Sequence, residues 1–483
     1  MSHAPRDPSL GRRDFFQQVG GGLIGTALAS LLDEDLLAGT GAGRNVFDLK
    51  CRQPDFTPRA TSVIQLFMNG GPSQMDLFDP KPELDRRHGE PYFDKIAGEV
   101  EFPAEAGALF RSPFEFAQHG QCGMWVSDAL PHLAECVDDI TLLRSMHTVN
   151  ITHEPAIFKI QSGRMFSGQP TMGAWITYGL GAENQDLPAY VVLDDPKALP
   201  VNGTQNWQAG YLPPVYQGTR FRSTGSPVLN LDRDFNEPNG ITELGRGLIS
   251  ELDDIHRQSH PGEPRLDARI ASYELAARMQ LVASDVLDIS QESEATREAY
   301  GIGHEPTDSY GRRCLMARRL VERGVRFVQL FIDGQIWDNH TRIATDLRAA
   351  CQRTDQPIAA LLKDLKQRGL LDQTLVLWGG EMGRLPLAQL KGDKSEANAG
   401  RDHNKRAMCG WMAGGGVKAG FTYGKTDELG FASVENLVSI SQWHATILHL
   451  LGLNHAKLTF NRNGLNERLT GVDEVHIVDD ILA

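Results

Sequence analysis

Residues 325–340, VRFVQLFIDGQIWDNH, constrain this chain more than any other stretch. Val325 to Ile332 is a run of β-branched, aromatic and aliphatic side chains. Such a run predicts a strand buried on both faces, which belongs in a mostly parallel sheet covered by helices on two sides. Asp333, Gly334, Trp337, Asp338 and His340 follow at once. In an open α/β sheet, ligands sit beyond the carboxyl ends of the strands. A carboxylate and an imidazole two residues apart are therefore expected at that rim. The alternative is a polar loop whose aspartate caps a helix starting at Thr341.

Other segments end the same way. Thr61–Met68 predicts a buried strand running into Asn69-Gly70-Gly71-Pro72-Ser73-Gln74-Met75-Asp76, where two glycines and a proline break the strand. Asp76 is a candidate metal ligand and Ser73 a candidate nucleophile; either could instead cap a turn. Ile140–Ser145 predicts a strand leading to His147, Thr148, Asn150, Thr152 and His153, with a helix from about Pro155 to Gly163 behind them. Pro188–Leu193 and Met408–Ala413 read as further strands. Thr374–Gly380 is a strand ending in Glu381-Met382-Gly383-Arg384. Leu266–Leu287, Tyr310–Arg323 and Asp355–Arg368 have helical periodicity, and Gln442-Trp443-His444 opens a helix to Leu451. Residues 80–125 and 196–240 read as long loops, and Leu130–Cys136 as a helix.

The ends of the chain and its charge narrow the class. Gly11-Arg12-Arg13-Asp14-Phe15-Phe16 precedes an uncharged stretch, Val19–Leu32. That pairing predicts a twin-arginine export signal with its linker over 1–45, hence recognition by the twin-arginine export machinery and a periplasmic or otherwise exported protein. The stretch is too short and glycine-rich for a stable membrane span. A net charge of -14 argues against a nucleic-acid binder, which needs a basic face. Six scattered cysteines contain no C-x-x-C pair, which argues against a zinc ribbon. Cys122 and Cys136 could pair in an oxidising compartment, or be buried free thiols. The glycine run 414–416 has no phosphate-loop spacing.

Collected at predicted strand ends are His147, His153, Asp338, His340, Glu381, Asp402, His403 and His444. Carboxylates and neutral imidazoles from separate segments are what a divalent metal site requires: zinc, manganese or iron where imidazole dominates, calcium or magnesium where oxygen does. Arg164, Arg384 and Arg401 could clamp a sulfate or phosphate, or pair with carboxylates.

Several stretches together resemble the exported family catalogued as domain of unknown function 1501, of the alkaline-phosphatase/sulfatase-like superfamily. They are FMNGGPSQMDLFDPKPEL at 67–84, WDNH at 337–340, EMGR at 381–384, GRDHN at 400–404, AGGGVKAGFTYGKTDELG at 413–430 and WHATILHLLGL at 443–453. The resemblance implies an alkaline-phosphatase-like α/β sandwich with a mostly parallel central sheet, in one sulfatase-like domain over 60–475. In sulfatases a Cys or Ser modified to formylglycine opens a stretch similar to His153–Arg164. Here His153 stands at that position, with Thr152 beside it as a substitute nucleophile. The superfamily's Asp-His pair after a later strand is matched by Glu381-Met382, which removes one histidine ligand. Asp402, His403 and His444 are similar to the remaining C-terminal ligands, and Asp338 with His340 to an earlier pair.

The resulting expectation is an exported metal-dependent hydrolase of sulfate or phosphate esters, acting on a small-molecule or glycan ester. Asp338, His340, Glu381, Asp402, His403, His444 and Asp76 are its candidate metal ligands. Thr152, His153, His147 and Arg384 are its candidate catalytic groups, Arg384 stabilising the developing anion. The rival expectation is a non-catalytic carbohydrate- or envelope-binding protein on a degenerate hydrolase scaffold.

Overall fold

The computed structural model describes residues 48–223, 241–260, 264–392 and 394–483. The export-signal expectation at 1–45 lies outside the described residues. Among the described residues no helix is long and apolar enough to cross a membrane.

The expected runs of β-branched and aliphatic residues form one nine-stranded sheet. Its strands are β1 (Ser62–Phe67), β2 (Ile140–His147), β3 (Tyr190–Leu193), β4 (Thr219–Arg220), β5 (Phe327–Leu330), β6 (Thr374–Gly379), β7 (Met408–Ala413), β8 (Phe421–Tyr423) and β9 (Val438–Ser439). The order is β8-β2-β7-β6-β1-β5-β3-β4, with β9 also pairing β2. Every neighbouring pair is parallel except the two made by β7, which is antiparallel to both β6 and β2. The carboxyl ends of β1, β2, β5 and β6 therefore reach one edge, and the amino end of β7 starts there.

Both faces are covered, as expected for continuous apolar strands. The helices α1 (His153–Ser162), α2 (Met172–Leu180), α3 (Asp308–Glu322), α4 (Ile343–Gln367) and α5 (Ile440–Leu450) do most of this. Ile64, Leu66, Val328 and Leu330 pack with Leu315, Leu320, Leu361 and Leu365 of α3 and α4 in the main core. On the other face Gln161 of α1 donates nothing but receives Gln329 Nε2 at 2.8 Å, Gly173 of α2 meets Tyr190 and Phe327, and Trp443 of α5 lies over Gly410. The fold is thus a mixed α/β sandwich with a mostly parallel sheet.

Several local expectations are corrected. Helix α4 begins at Ile343, twelve residues before the expected Asp355, and carries Pro357 inside it. Its buried face outweighs the break that proline introduces. The segment 80–125 is not bare loop. It holds short helices at Pro82–Arg86 and Phe93–Ile96 and paired strands at Phe116–His119 and Met124–Ser127. A satellite core of Met75, Leu84, Ile96, Val100 and Leu109 anchors it. The helix expected over Leu130–Cys136 is a 3-10 helix shifted to Leu133–Asp139. Cys122 is exposed and Cys136 buried, and both are free thiols, so they do not pair.

Candidate metal centre

The rim after β5 is held by an indole. Trp337 is 1% exposed and stands edge-on to Trp378 of β6, which stacks in parallel on Trp411 of β7 at 6.0 Å. Burial of that ring fixes the neighbouring Asp338. Asn69, just beyond β1, donates to the carbonyls of Ile332 and Gly334 at 2.6 and 2.8 Å and ties the same loop down. Gly70 adopts φ +112, and a Cβ there would lie 2.5 Å from the Asp338 nitrogen. Glycine is required at this turn by both conformation and space.

Asp338 Oδ1 is the centre of the arrangement. His340 Nε2 lies 2.9 Å from it, His403 Nε2 3.1 Å and His153 Nε2 3.4 Å. His153 opens α1, behind β2; His403 precedes β7. One ligand atom from each of His153, Asp338, His340 and His403 lies within 4.8 Å of the others. The imidazoles are packed together, with His403 ring centroids 4.4 Å from His153 and 4.6 Å from His340.

Each imidazole is held from behind through Nδ1. His153 Nδ1 meets Glu381 Oε1 at 2.6 Å, and that carboxylate also accepts the Gly70 N–H. His340 Nδ1 meets Gln389 Oε1 at 2.5 Å, while Gln389 Nε2 donates to Glu105 at 2.6 Å. His403 Nδ1 contacts the Glu101 carboxylate. All three outer partners present acceptors, so each Nδ1 carries a proton and Nε2 is the nitrogen left to face inward. The three Nε2 atoms converge on an acceptor-only carboxylate oxygen, so each must carry a proton or a cation must sit among them. His153 Nε2 is buried with no hydrogen-bond partner. Inward Nε2 atoms backed by outer carboxylates are the usual organisation of metal-bound histidines. The residues fit a divalent metal on this ground, and three nitrogens with one oxygen suit zinc, manganese or iron better than calcium or magnesium.

Electrostatics follow the same geometry. Burial opposes ionisation of Asp338, but Arg384 and the three imidazoles hold its carboxyl far below the usual range. Burial likewise lowers His153, yet Asp338 and Glu381 outweigh it and, with no cation between them, raise the imidazole to about 9; a bound metal would take the place of that proton. Glu101 is held low against burial by His403.

The other expected site residues are placed elsewhere. Glu381 is fully buried and backs His153 instead of joining the inner four. Asp402 accepts the N–H groups of Glu101, Phe102 and His403 at 2.9, 2.9 and 2.7 Å, so it is an anchor for backbone. With Glu101 and His403 it forms a second group that could hold an ion, although three of its roughly four acceptor sites already take N–H groups. Asp76 is corrected: Arg401 grips it at 2.7 and 3.1 Å and Ser73 donates to it at 2.5 Å, all fully buried. His444 is corrected too. It is buried in α5, bonds the Ile160 carbonyl at 2.7 Å, and burial lowers it to about 4. His147 ends β2 outside the inner four, lowered by burial. Thr152 is exposed at the cap of α1 and makes no side-chain cap bond.

The anion-clamp expectation for the arginines is also corrected. Arg384 is 1% exposed. Its guanidinium donates to the carbonyls of Gly70, Gly71, Trp337 and Arg401 and, at 2.6 Å, to Asp338. These contacts commit its fork to the turn after β1 and to the Asp338 carboxylate. Arg401 is committed to Asp76, and Arg164 pairs with Glu467 at 3.5 Å. Glu101, Phe102, Glu105 and Gln389 were not foreseen. Glu101 and Glu105 lie in a stretch without hydrophobic period, and Gln389 in a three-residue strand, so no sequence signal marked them.

A family described as "Protein of unknown function (DUF1501)" matches over residues 60–482. No curated protein matches the chain. Among solved structures, the chain is similar to the lipoteichoic acid synthase LtaP from Listeria monocytogenes at 10% identity and TM-score 0.37, covering 88% of this chain and 78% of that one. It is similar to the PsFucS1 sulfatase from Pseudoalteromonas sp. at 13% identity and TM-score 0.32, covering 82% and 68%. It is similar to the alkaline phosphatase of the Antarctic bacterium TAB5 at 11% identity and TM-score 0.32, covering 84% and 100%.

Proposed function

We propose that this chain, which belongs to the family described as Protein of unknown function (DUF1501), is an exported metal-dependent hydrolase of sulfate or phosphate esters. The observation that carries the reading is the convergence of His153, His340 and His403 Nε2 on Asp338 Oδ1. Those four residues would hold one divalent metal, zinc, manganese or iron by donor type. Bound there, such a metal supplies Lewis acidity towards an ester oxygen and lowers the pKa of bound water.

The chain's own groups would divide the remaining work. Glu381, Gln389 and Glu101 keep the imidazoles in one tautomer and orientation. Phe102, edge-on to His340 at 5.3 Å, shields the cluster from water on one side. Thr152, the N-cap residue of α1, is directly adjacent in sequence to His153 and its side chain makes no cap bond. It is the candidate nucleophile, with water the alternative. The helix N-terminus at His153 favours an anion nearby.

The test is elemental analysis of the folded protein, followed by turnover of aryl sulfate and aryl phosphate panels with and without chelator. The expected result is a stoichiometric metal and turnover that is abolished in His403→Ala and restored to the chelated wild type by adding the metal. Full turnover in metal-free protein would overturn it. Thr152→Ala separates the two nucleophiles: a loss of at least about 100-fold in kcat favours Thr152, on the scale of removing an activated group.

A second reading has its own support. Arg384, Arg401 and Arg164 are all committed to protein partners, and His153 replaces the Cys or Ser expected to open the helix. These favour a glycan- or envelope-binding protein with a structural metal. Glycan binding that survives chelation, with no turnover on either panel, would establish that reading instead.

A further inference from the structure

The segment 99–105 touches the rim through polar side chains, two backbone amides and one ring. Its upstream end is buried by Ile96 and Val100 in the satellite core. From there Glu99 pairs with Lys405 at 3.0 Å and Arg406 at 2.7 Å. The amides of Glu101 and Phe102 both donate to Asp402 at 2.9 Å. Glu101 backs His403, and Glu105 backs His340 through Gln389. Phe102, 39% exposed, lies with its ring centroid 5.3 Å from His340 and 6.4 Å from His403. One surface segment thus supplies the outer support for two of the three imidazoles. Glu381, on a different strand end, supports the third.

We propose that residues 99–105 form a strap coupled to the metal, in which Glu101 and Glu105 are positioning residues for His403 and His340. The inference rests on the metal-centre reading above. Glu101 accepts the His403 Nδ1–H and so leaves the Nε2 lone pair facing inward. Gln389 does the same for His340, and its amide can present the oxygen only because Glu105 takes its NH2. Without these acceptors each ring could protonate the other nitrogen, or rotate, and lose the inward lone pair. Support of this kind is worth about 10–100-fold in metal affinity. Coupling is reciprocal: whatever the strap contributes to holding the ion, the ion returns in holding the strap. Ion binding is therefore expected to slow opening of 99–105, above all at the amides of Glu101 and Phe102. Those amides are tied to Asp402, the residue next to His403.

The test uses the full chain stripped of metal, with zinc and manganese added back as probes. Affinity is measured by competition with a chromogenic chelator, and opening by hydrogen exchange at residues 97–105. Wild type is expected to bind one ion and to show slower exchange across the strap when loaded. Glu101→Ala is expected to lose about 10–100-fold in affinity and most of the ion-dependent protection. Glu101→Gln, which keeps an oxygen for His403 Nδ1–H, is expected to recover most of both. Glu105→Ala is expected to fall between, since it acts through Gln389. A merely structural role would weaken Glu101→Gln and Glu101→Ala alike. If wild type binds the ion and Glu101→Ala and Glu105→Ala bind within twofold of it, the strap proposal is overturned and the metal reading stands. If Glu101→Ala does not fold, Glu105→Ala alone decides. If wild type binds no ion, the metal reading itself fails.

Discussion

Replacing Arg384 by alanine separates a structural arginine from an anion clamp. The side chain is 1% exposed and donates to four main-chain carbonyls and to Asp338. Its removal leaves a largely buried carboxylate without its strongest partner and strips donors from the turn after β1. Breaking a buried pair by deleting one member costs about 3–5 kcal/mol. At about 2 cal/mol/K per residue of unfolding entropy, that corresponds to a fall in Tm of only about 3–5 °C for a chain of this size. Equilibrium unfolding in urea is therefore the more sensitive assay, read as a lower midpoint at unchanged slope. Arg384→Lys is expected to be nearly as damaging, because one ammonium cannot reach acceptors spread over Gly70, Gly71, Trp337 and Arg401. A loss below about 1 kcal/mol, on the scale of a surface pair, combined with a large rise in KM would refute this reasoning. It would mean that the guanidinium turns to the substrate.

Further outcomes are fixed by the same geometry. His444 is buried neutral at about 4, below the ordinary value near 6.5, so its contribution is complete above pH 6.5 and is lost as pH falls from 6.5 to 4. Acid unfolding of His444→Gln should show a visibly shallower slope in that window than wild type, and an unchanged slope would remove His444 as its source. Gly70→Ala must push the Asp338 backbone away. It should weaken zinc binding more than tenfold in the competition assay, and wild-type affinity would contradict the packing described. Trp337→Ala should destabilise by about 3–5 kcal/mol, the cost of deleting a buried aromatic, checked by the same urea titration.

The sheet could be read from the chain because its strands are apolar on both faces. Val325–Ile332, Thr61–Met68 and Thr374–Gly380 are runs that few other environments accept. Asp338, His340 and His403 were expected as ligands and His153 as a catalytic group; each stands within a few residues of a strand or at a helix start, which is why the sequence singled them out. The outer support was not. Glu101 and Glu105 look like any other surface glutamates, and only tertiary packing brings them under His403 and Gln389. The over-reading of Asp76 and His444 has a matching cause. A buried polar residue near a strand end is as well satisfied by an arginine or a helix carbonyl as by a metal. Helix α4 was cut short because Pro357 breaks the local pattern although the apolar face continues through it.

The reversed direction of β7 has a consequence for how the protein reaches its working state. Because that strand enters the sheet from the opposite side, a histidine lying upstream of it faces residues lying downstream of all the others. The four inner side chains are scattered from position 153 to position 403, and no partial assembly of neighbouring elements gathers them. An ion that binds only the finished arrangement stabilises it in proportion to the logarithm of free ion over Kd. On the proposed metal-centre reading, ion uptake should thus behave as a reporter of completed folding, arriving last and leaving first.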